Sequence, residues 1–268
     1  GHTCPVKAVT VTPDSRHVVS GSVDNSVQIW DVTTGRVVRK LQGHTGAVLT
    51  VSVTPDGCHV VSGSEDKSVR MRAWDVATGR GVRKLEGHTR TVTAVNVSPD
   101  GRHVVSGSDD KSVRMWDIAT GRELRRLEGH TDTVTAVIVT PDGRHVVSGS
   151  SDKTVRIWDV EAGLELCKLE GNTRAVLAVS VTPDGRQVVS GSADNSVHVW
   201  DVVSCRMRRL GVGSRLETSF ARGCIDEHSD DVAKACFVRL RGAEPVKPAE
   251  PAAASANAVK PADLLSCT

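Results

Sequence analysis

Residues 129–170 read GHTDTVTAVIVTPDGRHVVSGSSDKTVRIWDVEAGLELCKLE, and this stretch decides the fold because the chain repeats it. Val134 to Val139 reads as a first strand, closed by a Thr140-Pro141-Asp142-Gly143 turn. A second strand, His145-Val146-Val147-Ser148, ends at the turn Gly149-Ser150-Ser151-Asp152-Lys153. A third runs Thr154 to Trp158, and Glu161-Ala162-Gly163 turns the chain into a fourth, Leu164 to Leu169. Short Val-rich strands punctuated by Pro, Gly, Asp and Asn are the pattern of an all-β repeat. The first three strands are apolar on both faces, which suits strands sandwiched between neighbouring sheets. The fourth carries charge in the units that bear Arg39-Lys40, Arg83-Lys84, Arg125-Arg126 and Arg208-Arg209, which suits an exposed edge guarded against aggregation.

Trp-Asp pairs mark the period at Trp30-Asp31, Trp74-Asp75, Trp116-Asp117, Trp158-Asp159 and Trp200-Asp201, with Trp spacings of 44, 42, 42 and 42. Gly-His pairs precede them at Gly1-His2, Gly43-His44, Gly87-His88 and Gly129-His130, with Gly171-Asn172 in the fifth place. The second unit reads Met71-Arg72-Ala73-Trp74 where the third reads Met115-Trp116. This two-residue insertion keeps strand parity, because side chains alternate with a period of two, but its third strand must bulge or its Trp must shift.

These Gly-His and Trp-Asp units resemble the WD40 repeat family. The resemblance implies an all-β fold, a β-propeller of five four-stranded blades, over repeats 1–42, 43–86, 87–128, 129–170 and 171–214. Propellers generally span about four to eight blades. Five blades close into a small ring, or form an open arc with exposed apolar end faces that self-associates or belongs to a longer array. The near-identity of the units is also similar to the arrays of NACHT-type receptors. Residues 215–242 form a degenerate region in which 228–240 reads as a vestigial sixth-blade strand. The Ala- and Pro-rich stretch 243–268 is too poor in apolar bulk to fold and reads as a disordered tail.

Polar residues recurring in apolar strands need partners and suggest a network. The resemblance implies a hydrogen-bonded chain from turn Asp to loop His to strand Ser to strand Trp. Its members are His2, Ser20, Asp24 and Trp30, then His44, Ser62, Asp66 and Trp74, then His88, Ser106, Asp110 and Trp116. The fourth set is His130, Ser148, Asp152 and Trp158, and the fifth, shortened or rewired, is Asn172, Ser190, Asp194 and Trp200. Ser, His and Asp together suggest a nucleophile triad, yet a set repeated through the blades and sealed inside them reads as structural. No catalytic residue, metal site or cofactor is expected.

Against this constant scaffold two positions vary. Two residues past the loop histidine stand Cys4, Gly46, Arg90, Asp132 and Arg174; just before the turn Asp stand Val23, Glu65, Asp109, Ser151 and Ala193. In the family's blade both reach one end of the propeller beside the central channel, so the resemblance implies a recognition ring for proteins or peptides. The expectation is therefore a non-catalytic interaction scaffold, with a recognition array of a larger NACHT-like receptor as the alternative. The family's cullin-adaptor members carry Arg three residues after Trp, where this chain has Thr33, Ala77, Ala119, Glu161 and Val203.

Composition narrows the remaining classes. Lys plus Arg is 34 and Asp plus Glu 32, so a net charge of +2 gives no field that would mark a nucleic-acid binder. Five Trp, two Phe and no Tyr leave few rings for stacking on single strands. No run approaches eighteen apolar residues, so no membrane span is expected, and no charged-then-apolar leader follows Gly1. The inner strands offer only Val, Ala, Thr, Ser, Asn96, Ile138 and Lys7, with no converging carboxylates or metal ligands, so no small-molecule substrate is expected. Seven Cys at irregular spacing form neither a disulfide framework nor a zinc signature, and read as reduced thiols of a cytoplasmic or nuclear protein. The S-x-x-K matches ending at Lys67, Lys111 and Lys153 lie in a repeated tight turn, and the Asn96-Val97-Ser98 sequon lies in a strand followed by Pro99. Neither is a site.

Overall fold

A computed structural model describes residues 1–73, 82–202 and 206–209. Trp74, the degenerate region with its sixth-blade strand, and the Ala- and Pro-rich tail lie outside the described residues.

The described chain forms five four-stranded antiparallel sheets. The first blade holds β1 (Val6–Val11), β2 (His17–Ser22), β3 (Val27–Asp31) and β4 (Val37–Leu41); the second β5 (Val48–Val53), β6 (His59–Ser64), β7 (Val69–Ala73) and β8 (Val82–Leu85). The third holds β9 (Val92–Val97), β10 (His103–Ser108), β11 (Ser112–Asp117) and β12 (Glu123–Glu128). The fourth holds β13 (Val134–Val139), β14 (His145–Ser150), β15 (Thr154–Asp159) and β16 (Glu165–Glu170), and the fifth β17 (Val176–Val181), β18 (Gln187–Ser192), β19 (Val197–Asp201) and β20 (Arg206–Arg209). Strands pair in chain order within each sheet. First strands lean on one another, β1 on β5, β5 on β9, β9 on β13 and β13 on β17, so they form the inner edge. The charged fourth strands are the outer edge. The second strand of each blade runs two residues further than the turn signal suggested, because Gly149 still pairs with Val155 and Ser150 with Val134.

Turn chemistry repeats as faithfully as the strands. Thr140 Oγ1 donates to Asp142 Oδ1 at 2.5 Å and accepts the His145 amide at 3.0 Å, while Gly143 takes φ of 73°. In the first, third and fourth blades the Asp of the Trp-Asp pair caps the next turn: Asp31, Asp117 and Asp159 each accept the backbone amide three residues on, Asp159 Oδ1 from Ala162 at 2.6 Å.

The core lies between blades. Val61, Val69, Met71 and Leu85 of the second blade meet Val92, Val95, Val97, Val104 and Trp116 of the third. Val113, Met115 and Leu127 meet Val134, Val137, Val146 and Trp158 in the same way. Each meeting requires a glycine on the second strand: a Cβ on Gly107 would sit 2.6 Å from Val134 Cγ1, and one on Gly21 would sit 2.7 Å from Val48 Cγ1. Among the described residues the blades form an arc rather than a closed ring. The inner strands of blades one and five do not pack as the consecutive ones do, and the first blade leaves Val6, Val9 and Val11 47%, 46% and 54% exposed. Of the two closures open to the sequence, the described residues take the arc.

One local departure follows from sequence. In the second blade β7 pairs with β6 without a bulge, and Arg72 takes the register place opposite Val60 that Trp30 takes opposite Val18. Over the described residues the insertion therefore adds no bulge to the β6–β7 pairing. Among the described cysteines Cys4 and Cys58 are free and exposed, and Cys167 is buried in the core between the fourth and fifth blades.

Candidate functional site

The four-residue Asp-His-Ser-Trp networks form in the first, third and fourth blades. In the third, Trp116 Nε1 donates to Ser106 Oγ at 2.8 Å, Ser106 Oγ meets His88 Nε2 at 2.8 Å, and His88 Nδ1 meets Asp110 Oδ2 at 2.8 Å. The fourth blade repeats this with Trp158, Ser148, His130 and Asp152 at 2.8 Å throughout, and the first with Trp30, Ser20, His2 and Asp24 at 2.7–2.9 Å. A carboxylate only accepts, so Nδ1 carries the histidine proton and Nε2 accepts from the serine hydroxyl. Ser106 then has a lone pair for the indole N–H, and every group is satisfied. Ser106 is fully buried, behind a Trp116 that is 1% exposed.

Burial alone would raise the Asp110 carboxyl. Hydrogen bonds from His88, Ser112 and the Thr89 amide outweigh it and hold the group well below the usual carboxylate range. Asp66 is held down to about 2, against burial, by Ser68, His44 and the Thr45 amide. Burial pushes the His44 imidazole below its ordinary value, with Asp66 opposing.

The second and fifth blades differ. His44 meets Asp66 and Ser62 at 2.8 Å each, but the fourth member lies outside the described residues. In the fifth, Asn172 Oδ1 pairs with Nδ1 of His198, a third-strand residue, at 2.8 Å, while Asn172 Nδ2 is buried without a partner. Trp200 still donates to Ser190 at 2.9 Å, and Asp194 turns to the Thr173 amide at 2.7 Å. The network is rewired, as the Asn in place of His required.

Above the networks lies the layer of variable loop residues. The serine that ends each second strand donates to the backbone carbonyl of the first variable residue: Ser22 to Cys4, Ser64 to Gly46, Ser108 to Arg90, Ser150 to Asp132 and Ser192 to Arg174, at 2.9–3.3 Å. The amide of the second variable residue donates to the carbonyl one position beyond the first: Val23 to Pro5, Glu65 to Ala47, Asp109 to Thr91, Ser151 to Thr133 and Ala193 to Ala175. Both members of each pair are thus locked side by side. Cys4, Glu65, Arg90, Asp132 and Arg174 are exposed. Gly46 presents nothing; a Cβ there would lie 2.9 Å from the Asp66 amide nitrogen and 3.2 Å from Glu65 Cβ, so Glu65 alone speaks for the second blade.

Sequence reasoning missed these pinning serines, although Ser-Gly-Ser recurs in all five units. It also missed the partners of the second Asp oxygen, such as Ser112 Oγ on Asp110 Oδ1 at 2.6 Å. Inter-blade stitches were missed as well: Thr135 Oγ1 donates to the Val176 carbonyl, and Asn96 Oδ1 accepts the Val139 amide at 3.1 Å. Asn96, a polar residue on the inner strands, is consumed by that stitch. No cluster able to hold a metal occurs among the described residues.

The comparisons with known proteins agree with this geometry. The family model described as "WD domain, G-beta repeat" matches five times, over residues 1–31, 35–75, 79–117, 121–159 and 163–201. The chain belongs to the WD40 repeat family. Its relatives include proteins named ribosome biogenesis protein BOP1 homolog, 52% identical in Drosophila melanogaster and 48% in Drosophila grimshawi, each over 42 residues. Those matches cover 16% of this chain and 5% of each relative, about one repeat. WD40 domains generally bind proteins or peptides and are generally not enzymes.

Proposed function

We propose that this chain is a non-catalytic interaction module that recognises protein or peptide partners on the loop layer carrying Arg90, Asp109, Asp132, Arg174 and Glu65. One observation carries the reading: identical serines pin the backbone of every variable pair, while the side chains on that backbone change in charge and size. A fixed frame with a changing display is what selective recognition needs. The buried Ser-His-Asp sets supply rigidity beneath that layer and take no part in chemistry.

The test is the triple variant R90E/D132K/R174E. Proteins that co-precipitate with the unmodified chain from native extract should be lost from the variant, and its melting temperature should not move, because all three side chains are exposed. Undiminished co-precipitation would move the interface to the basic outer strands.

A further inference from the structure

We propose that the two ends of the arc are the two halves of one more blade-to-blade interface, and that a second copy of this chain supplies the missing half. The first blade of one copy docks on the fifth blade of the other.

Four internal interfaces define what such a contact requires. One side offers a glycine on the second strand, flanked by apolar side chains of the second and third strands. The other brings a valine of the next first strand directly onto that glycine. Gly21 receives Val48, Gly63 receives Val92, Gly107 receives Val134 and Gly149 receives Val176, each valine 0% exposed. Gly191 is the fifth of these glycines, and no described atom lies within 4 Å of its Cβ position. Around it Val197, counterpart of the buried Val155, is 46% exposed. At the far end Val6 stands at the place of those four valines and is 47% exposed, with Val9 and Val32 beside it at 46% and 53%.

Both halves of a fifth interface are therefore present and matched among the described residues, and no described residue covers either. The match continues the established interface rather than inventing one. Ser180 occupies the stitching place of Asn96, and Val11 occupies the place of Val139, whose amide Asn96 accepts. An occupant of the fifth blade's face must bring a valine onto a bare glycine, as the four internal interfaces do, and this chain's first blade is built to do that. Because the two faces differ, the contact is head-to-tail: each added copy leaves one face of each kind at the ends unless the series closes.

Sedimentation of the full chain over a range of concentrations tests the proposal, alongside two variants. Val9→Glu blocks only the first-blade face, and Gly191→Arg only the fifth-blade face; each side chain projects into open space in the single chain, so melting temperatures should match the unmodified protein. The unmodified chain should rise with concentration from 28.5 kDa to at least twice that mass. Each variant alone should form at most 28.5 kDa species, and an equimolar mixture of the two should recover a dimer and nothing larger, since one good face remains on each. A chain that stays monomeric at every concentration would overturn the proposal; it would mean that residues beyond 209 cover the faces, or that Gly191 and Val6 merely persist from repeat duplication. A variant that still self-associates alone would overturn it as well.

Discussion

The second and third blades share most of their sequence and differ in how well they are sealed. In the third, Trp116 closes the space against Val69 and Leu85, and Arg114 lies along the blade with Nη1 on Glu123 Oε2 at 2.5 Å. In the second, Arg72 holds the register place of the tryptophan, and Gly81 stands in sequence where Glu123 would. A cleft remains, lined by Val27, Leu41, Gln42, His44, Val60, Ser62 and Arg70. Arg70 is 21% exposed where Arg114 is 7%, and Gly43 in the overlying loop takes φ of 146°. The lesson concerns insertions. Two residues preserve which face a side chain points to, but not its depth along the strand, and a network needs both.

The largest effect should come from removing what the second blade already lacks. Trp116→Ala deletes a fully buried indole and leaves Ser106 without its donor, so unfolding free energy should fall by about 3–5 kcal/mol in urea titration. The converse variant sharpens the comparison. Deleting Arg72 and Ala73 brings the tryptophan opposite Val60, as in the other blades, and should raise stability by about 1–3 kcal/mol through one added hydrogen bond and apolar burial. A deletion that destabilises would show that the second blade depends on its own register.

Most of this architecture was legible in the sequence because each blade is local: turns, strand parity and the spacing of Gly-His from Trp-Asp all act within about forty residues. The Asp-His-Ser-Trp chain was legible because recurrence exposes buried polar residues. What was not legible involves contacts between units. The arc's open ends depend on the pitch from one blade to the next, which no single repeat encodes. The stitches of Thr135 and Asn96 occur once or twice and so lack the recurrence that marks a role. The choice of His198 to answer Asn172 needed the depth of the third strand, known only once its pairing with Ser190 was in hand.

A smaller effect separates the intact networks from the rewired one. His88→Ala leaves Asp110 buried without its main partner and should cost about 1–3 kcal/mol, whereas Asn172→Ala removes a group that is already half satisfied and should cost less. The same contrast has a pH signature. Asp24, Asp66, Asp110 and Asp152 all titrate below their ordinary range in the folded chain. A depressed folded pKa stabilises the fold above the unfolded value, near 4, and that contribution is lost as pH falls toward the folded value. The melting temperature should therefore be level above about pH 5 and drop steeply below pH 4, and Asp110→Asn should start lower and drop less. A melting temperature that rises on acidification would reverse the sign of the argument.

The smallest effect tests the turns themselves. After each network Asp the chain enters the left-handed region, with Asn25 at φ of 65° and Asn195 at 64° in the outer blades, but Lys67, Lys111 and Lys153 at 68–72° in the inner three. That conformation is costly for a residue with a Cβ, and asparagine tolerates it best after glycine because its short side chain can bond locally. The lysine side chains are exposed, so contacts do not explain their retention. Lys111→Asn should gain a few tenths of a kcal/mol and Lys111→Gly up to about 1 kcal/mol, because the strain is relieved while Asp110 and Ser112 keep their hydrogen bonds. Two or three such changes in one chain should add, since the turns lie on separate blades. A loss of stability in Lys111→Asn would mean that the lysine makes a contact in the folded chain that its exposure conceals, and the turn would then belong to the recognition layer rather than to the scaffold.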